Sequence, residues 1–303
     1  MDNRRNFLKR AAGFSFAVTA SCFALPSSVK GSIAAPFTEF TANTFLNQNI
    51  RKRIAIFKSN NAGWEVGETH CHTIFSDGNF TVTDLALRAS WLGLDFIVIT
   101  EHQIPKIFDL ECSLRSFQER LKISDNWNFP NLKPIKFYPG LETSTKQGHI
   151  ITVFPEGFLQ KKSYHEIRML YGRFDEYLPQ MELVAKNAHR LNGVTIIPHP
   201  EIERSYPFGA KISFLKKYLT GLVDAIEDIS SGHGFNKNYS NQLAMASIGS
   251  SDDHFNMLVG TTLTAYDAKK YSGLPSAIQN KKTRAIQIDS SLQPLIAAGR
   301  LLL

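Results

Sequence analysis

Cysteine is scarce in this chain: three residues in 303, at positions 22, 71 and 112. That excludes a disulfide framework, and because Cys22 falls in an apolar N-terminal run, Cys71 and Cys112 are read as buried thiols. Low-complexity tracts and internal repeats of about 20 to 50 residues are also lacking, which excludes solenoids, propellers and fibrous folds. Long apolar runs are missing too. The longest, Ala11 to Leu25, falls short of the ~20 residues that a bilayer demands, so no stable membrane insertion is expected. A concentrated basic stripe is absent although the net charge is +7. Five cations and one acid within residues 1–34 contribute +4 of it, which leaves +3 for the remainder. The basic character is largely confined to the N-terminus, and nucleic-acid binding is not expected.

What is present begins with that N-terminus. Arg4-Arg5-Asn6-Phe7-Leu8-Lys9, the apolar run and small residues at Ser32, Ala34 and Ala35 read as a twin-arginine export signal, cleaved near residue 34. The Tat translocase is then a transient partner and the periplasm the destination. Export in the folded state suits a protein that acquires a metal before it crosses. Residues 35–62 read as a connector, with Ile54-Ala55-Ile56-Phe57 as a short docking strand. Residues 63–303 are the catalytic domain. With 43% hydrophobic composition the chain can bury a sizeable core.

From Trp64 onward, short β-branched runs alternate with amphipathic helices, the pattern of βα units around a parallel sheet or barrel. Strands are expected through His72, at 95–100, 135–141, 149–154, 194–197, 222–226, 246–250, 261–266 and 283–288; helices at 83–92, 111–123, 178–191, 212–219 and 274–280. Nearly every apolar run ends in a histidine or an acid. His70-Cys71-His72 closes the first, where period-two alternation puts both imidazoles on one face and Cys71 on the other. Asp77 follows in a Ser-Asp-Gly turn that can fold back over the same place. Glu101-His102, Glu142, His199 and Asp252-Asp253-His254 close later runs, and Gly148-His149 comes just after the run that Glu142 closes. In a βα barrel the C-terminal strand ends share one face, so one site collects them. His165, His189 and His233 are read as structural or surface residues. Mixed imidazole and carboxylate donors suit Mn, Fe or Zn, and nine such groups are enough for two to three divalent ions.

The ordered series His70-x-His72, Ser76-Asp77-Gly78, Ile99-Thr100-Glu101-His102, Gly140-x-Glu142, Gly148-His149-Ile150, Ile197-Pro198-His199-Pro200 and Gly249-Ser250-Ser251-Asp252-Asp253-His254 resembles the polymerase and histidinol phosphatase (PHP) family of metallohydrolases, over about Gly67 to Ile288. The resemblance implies a distorted (β/α)7 barrel. It implies that His70, His72, Glu142 and Asp252 hold one ion, that Glu142 bridges to a second held by His149 and His199, and that Asp77, His102 and His254 hold a third. Glu101 departs from the aspartate usual before that histidine. Asp253 is expected as a proton donor to the leaving group, and Arg204 or Lys146 as a phosphate-binding cation. Asp224 and Glu227 are expected to position neighbours. The function implied is hydrolysis of small phosphomonoesters or phosphodiesters by a metal-bridging hydroxide. A carboxylic-ester or carbamate hydrolase of the same fold and a non-catalytic metal-binding protein are the alternatives.

Overall fold

In the computed structural model, residues 45–161, 164–204 and 207–292 are described, so residues 1–34, where an export signal is expected, lie outside them with Cys22. The elements run α1 (Phe45–Asn60), β1 (Trp64–Glu68), α2 (Val82–Leu92), β2 (Phe96–Gln103), α3 (Leu110–Asp125), β3 (Lys136–Thr145), β4 (Gly148–Val153), α4 (Phe158–Lys161), α5 (Tyr164–Tyr171), α6 (Met181–Arg190), β5 (Val194–Ile197), α7 (Ile212–Tyr218), β6 (Ala225–Ser230), β7 (Phe235–Asn236), α8 (Tyr239–Leu243), β8 (Ala246–Ser250), β9 (Thr262–Asp267), α9 (Leu274–Gln279) and β10 (Thr283–Gln287). Among these no helix is long and apolar enough to cross a membrane.

One ten-stranded sheet takes the order β10-β9-β1-β2-β3-β4-β5-β6-β7, with β8 on β6. The pairs β1/β2, β2/β3, β5/β6 and β6/β8 are parallel; β3/β4, β4/β5, β1/β9 and β9/β10 are antiparallel. The result is a distorted (β/α) barrel. Its seam closes between the continuations of β1 and β8. Cys71 bridges Asp253, the His72 amide donates to the Asp253 carbonyl (2.9 Å), and the Thr69 hydroxyl donates to the Gly249 carbonyl (3.1 Å).

Alternation along the strands sorts the interior. Phe96 and Val98 on β2, Tyr138 on β3, Ile151 and Val153 on β4, Val194 and Ile196 on β5 and Ala246 and Ile248 on β8 form one inner cluster. Ile97 and Ile99, of opposite parity, pack outward under the helices. Helix α2 is well specified: Thr81 caps it in a reciprocal capping box with Asp84, and Gly93 ends it in the left-handed region.

Two expectations need correction. The supposed docking strand at Ile54 to Phe57 is the third turn of α1, which lays Ile50 and Ile54 into the outer core beside Val66, Leu85 and Leu92. Spacing of four outweighs the local β-branched composition here. The segment 45–60 therefore packs on the barrel. Strand β1 ends at Glu68, so His70 and His72 lie beyond it. Val66 and Cys71 both face the outer core although they stand an odd five positions apart, so the alternation switches once in between. Glu68 marks the switch: its Oε1 accepts the amides of Thr69 (3.0 Å), His70 (3.1 Å) and, across the seam, Ser251 (2.9 Å).

Candidate metal centre

Beyond the apolar cluster, the inward positions become ionisable. His102 continues the parity of Phe96 and Val98, Glu142 that of Tyr138, and His149 precedes Ile151 on the antiparallel β4. His70, His72, Glu142, His149 and His199 are all buried. Four donor atoms meet around one point. His70 Nε2 lies 3.3 Å from Glu142 Oε2 and 3.2 Å from Asp252 Oδ1; His72 Nε2 lies 3.4 and 3.3 Å from the same two oxygens. Separations of this size are those of donor atoms that share a cation at about 2.0 to 2.1 Å. His70 Nε2, His72 Nε2 and Glu142 Oε2 are buried without a hydrogen bond, so these lone pairs have room for a cation at their centre.

Two further groups adjoin this one. Glu142 Oε1 lies 2.8 Å from His149 Nδ1 and 3.0 Å from His199 Nε2. Asp77 places Oδ2 3.4 Å from His102 Nε2 and Oδ1 3.2 Å from His254 Nε2. Glu142 Oε2 also lies 2.9 Å from His102 Nδ1. All nine predicted donors therefore come together, and Glu142 sits between the groups. His72, Asp77, His102 and His254 form one set able to hold a cation; His70, His72 and Asp252 another; and His70 with Glu142 and His199, His102 with Glu142 and His149, and His199 with His233 and Asp252 three more.

The electrostatics fit that use. Burial alone would raise Glu142, but His102, His70 and His149 hold it well below the carboxylate range. Burial likewise opposes ionisation of Asp252 and Asp77; the neighbouring imidazoles overcome it and hold both well below their ordinary values. Burial lowers His254, yet Asp77 pushes it up to about 9. His72 is lowered to about 3 by burial and by His254 and His102. The carboxylates are thus ionised at neutral pH, and the protons that balance them are the ones a divalent ion displaces.

An outer layer fixes the donors. Glu227, in β6, accepts from His70 Nδ1 (2.8 Å), the Ser250 hydroxyl (2.5 Å) and the His199 backbone amide (2.7 Å), so it orients the His70 imidazole and anchors the main chain that carries His199. Asp224 instead ties His189 and Thr195 together, away from the centre. Glu101 points outward and accepts from the hydroxyls of Thr73 (2.5 Å) and Ser76 (2.6 Å), fastening the loop that carries Asp77. That loop needs Gly78: a Cβ there would lie 2.4 Å from the His72 carbonyl oxygen.

Asp253 is not placed as a proton donor. Its carboxylate is buried and accepts the amides of Phe255 (2.8 Å), Leu258 (2.9 Å) and Val259 (3.0 Å), so it organises the loop instead of facing the cleft. Its parity is opposite to that of Asp252, which does face it. Arg204 is exposed on the rim, its guanidinium 4.5 Å above the Phe208 ring, which itself stacks on His199 at 4.0 Å. Lys146 is exposed as well. Sequence reasoning missed His233, whose Nε2 lies 2.5 Å from Asp252 Oδ2. The available signal was the strand-end rule itself. Strand β6 runs to Ser230 rather than ending near Ile226, and His233 follows it between two glycines.

No protein-family model matches the sequence, and no curated protein matches it. Solved structures do. A two-domain protein from Bacteroides vulgatus containing a predicted PHP-like metal-dependent phosphoesterase is 18% identical with a TM-score of 0.49, over 75% of this chain and 66% of that one. The lesion-specific endonuclease Q from Pyrococcus furiosus is 16% identical with a TM-score of 0.48, over 76% and 60%. Endonuclease Q bound to a 27-mer duplex with an abasic lesion at its active site is 17% identical with a TM-score of 0.44, over 67% and 52%. This chain therefore spans between about half and two thirds of those proteins, and the likeness is one of fold. It corrects one expectation. A duplex lies in the active site of one of these folds, so the restriction to a small-molecule substrate with nucleic acid excluded is withdrawn.

Proposed function

We propose that the chain is a metal-dependent phosphoesterase of the PHP type, delivered to the periplasm by its N-terminal segment. The observation that carries this reading is the convergence of His70, His72, Glu142 and Asp252, each imidazole nitrogen 3.2 to 3.4 Å from both carboxylate oxygens, with two more donor groups sharing or adjoining Glu142. His70, His72, Glu142 and Asp252 would hold one divalent ion, Glu142 with His149 and His199 a second, and Asp77, His102 and His254 a third. Bound there, Mn, Fe or Zn supplies Lewis acidity at phosphate oxygens and water acidic enough to act as a nucleophile near neutral pH.

The chain's own residues do the rest. Glu142, Asp252 and Asp77 stay ionised and set the donor geometry. Glu227 holds the His70 ring in the orientation that turns Nε2 inward and anchors the His199 backbone, while His199 Nε2 meets Glu142. The Phe208 ring covers His199 and lies 4.7 Å from His149, excluding water from that side. Arg204 is the cation on the rim above that ring, placed to attract an anionic substrate as it arrives rather than to touch the reacting phosphorus.

The test is hydrolysis by the protein purified without chelators, on p-nitrophenyl phosphate, bis-p-nitrophenyl phosphate, p-nitrophenyl acetate and a DNA duplex with an abasic site. Turnover of one of the phosphate esters, lost on chelation and restored by Mn, Fe or Zn, is the expected result. Turnover of the acetate alone would move the chemistry to carboxylic esters, and a protein inactive on all four after metal loading would overturn the proposal.

A further inference from the structure

Asp252 is held in an unusual way. Its φ of 50° lies in the left-handed region, which a non-glycine residue seldom adopts and which persists where the surroundings impose it. Two neighbours impose it. The turn after β6 runs against the β8 continuation, with the Ser231 amide on the Ser250 carbonyl (3.1 Å) and the Gly232 amide on the Ser251 carbonyl (2.8 Å). A Cβ on Gly232 would lie 2.3 Å from the Ser251 oxygen and 3.2 Å from the Asp252 Cβ, so glycine alone permits that approach. The Thr261 hydroxyl ties the turn to the next loop through Ser231 (2.8 Å).

The next residue of this turn is His233, nearly buried, and its ring faces both His199 (centroids 4.8 Å apart) and Phe208 (5.6 Å). His233 Nε2 meets Asp252 Oδ2 at 2.5 Å, while Asp252 Oδ1 lies on the other side, toward His70 and His72. The two carboxylate oxygens of Asp252 are thus engaged on opposite sides, Oδ2 by His233 and Oδ1 by the His70 and His72 pair.

We infer that His233 is a positioning residue of the metal centre, which fixes Asp252 through Oδ2 so that Oδ1 is presented to the ion shared with His70 and His72. This inference rests on the metal-centre reading above. It also explains why Asp252 is the carboxylate that faces the cleft while its neighbour Asp253 is turned to the loop: each is held by bonds on its own side. Removing a partner of this kind weakens metal binding by about 10 to 100-fold in comparable sites.

The experiment is competition of Zn and Mn binding against a chelator of known affinity, on wild type, His233→Ala and His233→Gln, with circular dichroism of each metal-free protein as a check of folding. A glutamine amide can still donate to Oδ2. The expected result is a loss of about 10 to 100-fold for one ion in His233→Ala and recovery to within about threefold of wild type in His233→Gln. Equal loss in both variants would make His233 a ligand and overturn the positioning role, and wild-type affinity in His233→Ala would overturn any role. A wild type that binds no ion would instead remove the metal centre itself, which separates the two failures. Should the alanine variant fail to fold, the comparison of His233→Gln with His233→Asn carries the same decision.

Discussion

The two halves of the barrel interior are built on the same strands with the same alternation and have opposite chemistry. On β2 the inward series is Phe96, Val98, Thr100, His102; on β3 it is Tyr138, Gly140, Glu142. The first members form a packed apolar floor, and the last form a crowd of buried ionisable groups that burial alone would neutralise. The floor contributes stability through packed area. The upper half has mutual ion pairing to offset its desolvation, and removing one partner leaves the others exposed to that cost.

Breaking each half separately sharpens the contrast. His70→Ala deletes a donor shared by two groups, and hydrolysis should fall by about 10² to 10³-fold or more, the loss typical of a removed electrostatic stabiliser, while the far-UV circular dichroism stays native. Ile196→Ala, in the floor, should do the reverse: denaturant unfolding should show a loss of about 2 to 5 kcal/mol with metal content unchanged.

Metal removal tests the coupling between the halves. An ion at 100 times its dissociation constant should add about 2.7 kcal/mol to folding, read as a drop in the unfolding midpoint on chelation and its return on reloading. The same binding should strengthen as pH rises. His254, pushed up to about 9 beside Asp77, carries a proton at neutral pH that the ion must displace, so affinity gains roughly tenfold per pH unit for each proton released, until about pH 9. Isothermal titration in two buffers of different ionisation heat counts those protons. The smallest effect belongs to the rim. Arg204→Ala should raise KM a few-fold, by about 1 kcal/mol or less, with kcat unchanged, because an exposed cation is screened by solvent.

The upper half was the more legible in the sequence. Histidines and acids closing one apolar run after another are visible without coordinates, since strand alternation carries the inward face from Val98 to His102 unaltered. Parallel packing then brings the ends of distant runs to one rim. What stayed hidden depends on contacts far apart in sequence. Ile54 looks like a strand residue until Ile50 and the outer core beside α2 are seen to select a helical spacing. Asp253 stands beside a predicted ligand, but only the fold of the loop at Leu258 and Val259 shows that its oxygens are taken. His233 is reached by β6 running four residues past its expected end, an extension set by pairing with β8 and invisible in the local composition.

The account turns on Glu142, placed so that one carboxylate serves the neighbouring donor groups. The most direct measurement is metal stoichiometry by elemental analysis of wild type, Glu142→Gln and His254→Ala, each loaded and then freed of excess ion. Two to three ions in wild type, one fewer in His254→Ala and at least two fewer in Glu142→Gln is the predicted result. Equal stoichiometry in all three proteins, or a loss in Glu142→Gln no greater than in His254→Ala, would contradict a shared centre.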